Sequence, residues 1–206
     1  RHYAFLNQGL LDIEADLATR NISFVVRRPP DNSLDKLLDE VNAAILIGDE
    51  NPCREPERWR QVIAKRLRIP FWTVDADVIV PSKLFPKAQY AAYTLRPRLY
   101  KELPNDLHPL KNPKAQHAWK RPKHFDSYPV TSDITSGWKN LDRTIGPVKS
   151  FAGGSHAARK RLQFFVKHLL ENYDEQRNQP TVDGTSRLSP YLHFGHIGPL
   201  EIALAV

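Results

Sequence analysis

Ala43-Ala-Ile-Leu-Ile-Gly48 is the stretch that decides the fold. It is short, apolar without alternation, and closed by glycine, so it reads as a buried strand. Before it, Leu34, Leu37, Leu38 and Val41 recur at helical spacing behind the capping candidates Asp31, Asn32 and Ser33. After it, Trp59, Val62, Ile63 and Leu67 share one face of a helix over about 55–67. The next elements outward are strands again: Ile22-Ser-Phe-Val-Val26 on one side, Pro70-Phe-Trp-Thr-Val74 on the other, with Val78-Ile-Val80 continuing the edge. Tyr3, Phe5, Leu6, Leu10, Leu11, Ile13 and Leu17 add a helix over 1–20. Helix and strand alternating three times with short connections predict a parallel sheet with helical crossovers, a Rossmann-like α/β domain. Ligands of such a sheet lie beyond the carboxyl ends of its strands. The chain has no Gly-x-Gly-x-x-Gly, so fold analogy assigns no dinucleotide.

The 206 residues are 41% hydrophobic, enough for a core and too many for a disordered chain. No apolar run approaches the ~20 residues that span a bilayer, and the first twenty residues are too charged for a secretory signal. No membrane partner is therefore expected. The lone Cys53 cannot form an intramolecular disulfide and suits a reducing compartment, so a cytoplasmic location is expected, nucleoid-associated in a bacterium. The net charge of +7 fits an anionic partner. It concentrates in residues 96–124, where Arg96, Arg98, Lys101, Lys111, Lys114, Lys120, Arg121 and Lys123 face only Glu102 and Asp106. Two readings stay open for that segment: a solvated proline-rich linker, or a surface that meets DNA.

Prolines at 104, 109, 113, 122, 129 and 147 coincide with the loss of apolar periodicity. They set an expected organisation of an α/β domain over 1–103, a basic linker over 104–150 and an all-helical domain starting at 151. The chain starts at Arg1 without methionine and ends at Val206 inside an apolar periodic run. Both ends read as internal to a longer protein, with the α/β domain incomplete and the helical one only begun.

In the helical part, Ala158, Leu162, Phe165, Val166, Leu169 and Leu170 share a face of a helix over 157–173, with Arg159, Lys160, Arg161 and Lys167 opposite. Further on, Ser189-Pro190 is a helix start: serine caps the exposed N–H groups and proline suits the first turn. Gly184, Thr185 and Ser186 precede it with hydroxyls and open backbone. Together they describe either an anion site at a helix start, with phosphate as the natural occupant, or an ordinary capped helix after a glycine turn.

Thr185-Ser-Arg-Leu-Ser-Pro-Tyr-Leu-His-Phe-Gly195 resembles the flavin-binding segment of the DNA photolyase/cryptochrome family. Tyr173-Asp-Glu-Gln-Arg177 stands where that family places a flavin-contacting tyrosine and, four residues later, a DNA-facing arginine, and Phe151-Ala-Gly-Gly154 is similar to the entry into its FAD domain. Arg1-His-Tyr-Ala-Phe5, Val74-Asp-Ala-Asp-Val-Ile-Val-Pro81 and Tyr90-Ala-Ala-Tyr-Thr-Leu-Arg-Pro-Arg-Leu-Tyr100 resemble class II cyclobutane pyrimidine dimer photolyases, from whose pattern Asp77, Pro52-Cys-Arg54 and Arg187 depart. The resemblance implies non-covalent FAD held by Tyr173, Thr185, Ser186, Arg187, Leu188 and Ser189. It implies Arg177 against DNA containing pyrimidine dimers, with a second, antenna chromophore as a further possible cofactor. It also implies light-driven dimer repair as the activity of a monomeric full-length protein, with the remaining catalytic groups beyond Val206 and the present chain inactive alone. Two alternatives are carried: a cryptochrome-type blue-light signalling flavoprotein without repair, and a non-enzymatic nucleic-acid-binding α/β protein.

Other candidates are weaker. His193 and His196 are three apart but lack further metal ligands nearby in sequence, so no metal is expected. Trp59, Trp72, Trp119 and Trp138 read as core or linker packing rather than as electron-transfer stepping stones. Asp75 and Asp77 either cap a turn or line a crevice.

Overall fold

The computed structural model describes residues 2–119, 121–122, 125–131 and 133–206. Arg1 of the first quoted motif, and Lys120 and Lys123 of the basic segment, lie outside the described residues. The chain divides into two compact units: one of Arg28–Pro109 with Gly198–Leu204, the other of Arg1–Arg27, Leu110–Ile197 and Ala205–Val206.

In the first unit, α2 (Leu34–Glu40) starts as its sequence predicts, the Ser33 hydroxyl accepting from the Lys36 N–H at 3.4 Å. β1 (Leu46–Asp49), α3 (Arg54–Arg66) and β2 (Phe71–Val74) form one strand–helix–strand crossover. The strands pair in parallel, Leu46 opposite Phe71 and Asp49 opposite Val74. Branched and aromatic residues on alternating faces favour this ladder, and Gly48 lets the Phe71 ring lie close over β1. This is the α/β, Rossmann-like arrangement expected, with two strands among the described residues. Val78-Ile-Val80 does not continue the sheet. Asp75 accepts from the Ser82 N–H at 2.9 Å and its hydroxyl at 2.6 Å, which bends the chain back at once. That assigns Asp75 to turn capping. A 3₁₀ turn (Ser82–Leu84) then leads to α4 (Ala92–Asp106).

The second unit contains α1 (His2–Ala18) and α5 (Ser155–His168), which pack on each other. Ala158, Leu162 and Phe165 are the buried side of α5, at helical spacing as expected. Each of the two larger chains contributes about 1.5–3 kcal/mol by leaving water. The helix stops earlier than the periodicity predicts. The Leu169 and Leu170 N–H groups both bond the Phe165 carbonyl, and Tyr173 opens a separate turn, α6 (Tyr173–Gln176).

The strand expected over 22–26 does not form. Val26 donates to the Ser127 hydroxyl at 3.1 Å and accepts from the Tyr128 N–H at 2.7 Å, while the Ser23 hydroxyl donates to the Trp119 carbonyl. Its neighbour is the proline-rich segment, where Pro122 and Pro129 have no N–H to offer a ladder. The remaining helices are α7 (Ser189–His193) and α8 (Pro199–Ala205). No helix of the described residues is long and apolar enough to cross a membrane.

Candidate functional site

The site is built on α5. Phe165 on its buried face meets the Tyr173 ring edge-on, with centroids 5.3 Å apart, which fixes α6 against the helix. The Arg177 guanidinium lies 5.8 Å over the same tyrosine ring, so positions 173 and 177 do share a face. Asp174 pairs with Arg177 at 3.6 Å, but it is almost fully exposed and contributes little.

Gly184 brings the next segment alongside. A Cβ there would collide with Cβ of Gln176 and press its backbone, so only glycine permits this approach to α6. Arg161, on α5, then reaches across 24 residues. Its Nε donates to the Ser186 carbonyl at 2.8 Å and an NH2 group to the Thr185 carbonyl at 2.9 Å. Arg187 sits in the left-handed region (φ 55), a conformation costing roughly 1 kcal/mol for a side-chain-bearing residue, and pairs with Asp183 at 2.8 Å. Leu188 is buried and anchors the segment, and its N–H donates to the Ser186 hydroxyl at 3.4 Å.

One consequence is chemical. The carbonyls of Thr185 and Ser186 are engaged by Arg161, whereas the N–H groups of Thr185, Ser186 and Arg187 have no acceptor among the described residues. Consecutive free N–H groups in a bent backbone make an anion-binding concavity. Arg177, Thr185 and Arg187 also line one cavity of about 420 Å³, with Thr181, Gln179 and Asp183. Arg177, Thr185 and Arg187 thus share one cavity lining, in which the Asp183 carboxylate is paired with Arg187.

Ser189 is placed differently. The helix starts one residue earlier than a serine cap requires: Leu188 is already in helical conformation and no side-chain cap bond forms. Ser189 and Pro190 line another cavity of about 700 Å³, with Phe5, Phe151, His193 and Phe194. Tyr191 anchors α7 by donating its hydroxyl to the Ala152 carbonyl at 2.8 Å, and burial pushes its pKa up.

Three residues that sequence reading did not assign hold the site's frame. Arg161 was one of four helix-surface cations, with nothing local to single it out. Asp12 of α1 caps α5, accepting from the His156 N–H at 3.1 Å. Burial raises its carboxyl pKa, but bonds from the His156 backbone and imidazole and the Ser155 hydroxyl outweigh that, so it ends below the ordinary value. His196 is buried against Gly9 and the Phe5 ring, its Nδ1 accepting from the Gly154 N–H at 3.0 Å. Burial lowers its pKa, against a smaller opposing effect of Asp12. Among the described residues no cluster of three His, Cys, Asp or Glu side chains is placed to hold a metal.

Comparison with known proteins adds the family. The family described as DNA photolyase matches residues 1–114. The chain is 32% identical to the deoxyribodipyrimidine photo-lyase of Methanothermobacter thermautotrophicus, over 99% of this chain and 45% of that protein. It is 26% identical to the enzyme of the same name from Potorous tridactylus, over 100% of this chain and 39% of that one. The chain thus spans somewhat under half the length of these curated relatives. Its fold is similar to that of a bacterial class III photolyase from Agrobacterium tumefaciens, with a TM-score of 0.72 and 20% identity over 99% of this chain and 43% of that one.

Proposed function

The chain belongs to the DNA photolyase family, and from that premise we propose that the protein repairs cyclobutane pyrimidine dimers in DNA by light-driven electron transfer from reduced FAD. The observation that carries this reading is the row of free N–H groups at Thr185, Ser186 and Arg187 beside the cavity of Arg177, Thr185 and Arg187. The donor set fits the diphosphate of a dinucleotide: backbone N–H groups, a hydroxyl and two guanidiniums, in a cavity of about 420 Å³. FAD bound there would supply the electron for ring splitting, chemistry that no side chain of this chain offers.

The residues described supply grip and orientation. Arg161 holds the 185–186 carbonyls away from the anion, Gly184 keeps the segment against α6, and Leu188 pins its far end. Tyr173 offers a ring supported by Phe165. Ser189, at the start of α7, lines a separate cavity and is proposed for the same cofactor on its resemblance to the family's flavin segment alone. Arg177 lies at the cavity and half exposed, where it can meet a DNA phosphate or the lesion. The dimer has to leave the base stack to reach any flavin, and a damaged step costs less to unstack. The motifs at 74–81 and 90–100 favour class II within the family.

Blue-light repair of a dimer-containing oligonucleotide by the full-length protein, with FAD reduced, tests the proposal. Loss of dimers in light and not in darkness is expected. No repair with FAD fully reduced overturns it and leaves light signalling as the reading.

A further inference from the structure

We propose that α4 and the cavity beside it form a contact surface for single-stranded nucleic acid that requires no lesion and no flavin. This goes beyond the repair reading and rests on a different compact unit. Tyr90, Tyr93 and Tyr100 are 92%, 69% and 64% exposed. Tyr93 and Tyr100 are seven residues apart on α4, hence on one face and about 10 Å apart along the axis. Arg96 falls between them, at i+3 from one and i−4 from the other, so tyrosine, arginine and tyrosine make one stripe.

Neither half of this stripe is satisfied by the described residues. Among the described residues none of the three rings packs against another ring, and Lys87, Arg96, Arg98 and Lys101 have no carboxylate partner. The acidic residues of the helix, Glu102 and Asp106, are half-buried while its cations are exposed, which leaves the surface positive. The stripe also borders a cavity of about 800 Å³. Val80, Phe85 and Leu99 give it an apolar floor, and Lys87, Arg96 and Tyr100 reach its exposed edge.

Flat rings interleaved with cations match a strand whose unstacked bases lie on the rings while its phosphates meet the cations. The apolar cavity offers a place for one base, with Lys87 and Arg96 at its phosphates. An anionic membrane would call for a continuous apolar face rather than separate rings between charges. An acidic protein would need the cations but not the rings.

The test is fluorescence anisotropy of a labelled, undamaged oligo-dT with the full-length protein in darkness, at several salt concentrations. Replacing both tyrosines (Y93A/Y100A) should weaken binding about tenfold or more without changing the salt slope. Y93F/Y100F keeps the rings and should bind as the wild type does, which separates stacking from a folding defect. R96A/R98A should lower the slope by about 1.4, since each phosphate contact to a single strand contributes about 0.7. Oligo-dT binding is read in darkness with undamaged DNA and dimer loss is read in light, so failure of the repair reading and failure of this one are distinguishable. Unchanged affinity in Y93A/Y100A overturns the proposal. So does an R96A/R98A protein that loses binding to phosphatidylserine vesicles while holding oligo-dT as before.

Discussion

His196 and Asp12 show how much of the helical unit rests on single residues. Nδ1 of His196 accepts from Gly154, so the neutral ring carries its proton on Nε2, against Gly9. A second proton would have to enter at Nδ1 and break the Gly154 bond. The folded pKa is lowered, so the unfolded chain binds protons more readily and stability rises with pH. This contribution is intact above the unfolded value of about 6.5 and is lost as pH falls from there toward the folded value. Asp12 has its pKa lowered too, as a carboxylate, so its contribution holds above about 3.9 and fades below that. Thermal unfolding of the full-length protein should therefore show two acid windows. H196Q should flatten the dependence between about pH 7 and 5, and D12N only the part below about pH 4. A slope near pH 6 that survives H196Q would show that another group titrates there.

At the scale of elements, the 183–188 segment is held by its neighbours rather than by its own sequence. Arg161→Ala should cost about 1–2 kcal/mol of stability, as expected for lost charge-assisted bonds, and free the carbonyls of Thr185 and Ser186 to turn toward the proposed anion site. FAD affinity of the full-length protein should fall by at least tenfold; a variant that binds FAD as tightly as the wild type would remove the bracing role. The same elements explain what was legible beforehand. α1, α2, α3, β1, β2 and the start of α5 follow from apolar spacing and caps, but packing matches the apolar pattern only on α5, where Ala158, Leu162 and Phe165 are buried; Ile47 of β1, Trp59 and Val62 of α3 and Trp72 of β2 stay exposed. The 22–26 strand failed because its neighbour is rich in proline, a non-local fact. Val78–Val80 failed because Asp75 recruits Ser82 into a turn. Ser189 as a helix cap was not legible, since Leu188 had already entered the helix. Arg161, Asp12 and His196 act across 24 to 144 residues, beyond any periodicity.

For the whole molecule, charge and family point the same way. A net charge of +7 favours association with a polyanion, in line with the DNA partner proposed above. The chain covers 45% and 39% of the two photo-lyases compared. In the flavin site proposed above, Arg177 and the N–H groups of Thr185, Ser186 and Arg187 would act as the phosphate grip. The most direct measurement is the absorption spectrum of the purified full-length protein, with the flavin released by denaturation and counted per polypeptide. One FAD per polypeptide is the expected result, reduced to a small fraction by Arg161→Ala. A colourless protein that takes up no FAD yet still binds DNA would contradict the flavin site and leave a nucleic-acid-binding α/β protein in its place.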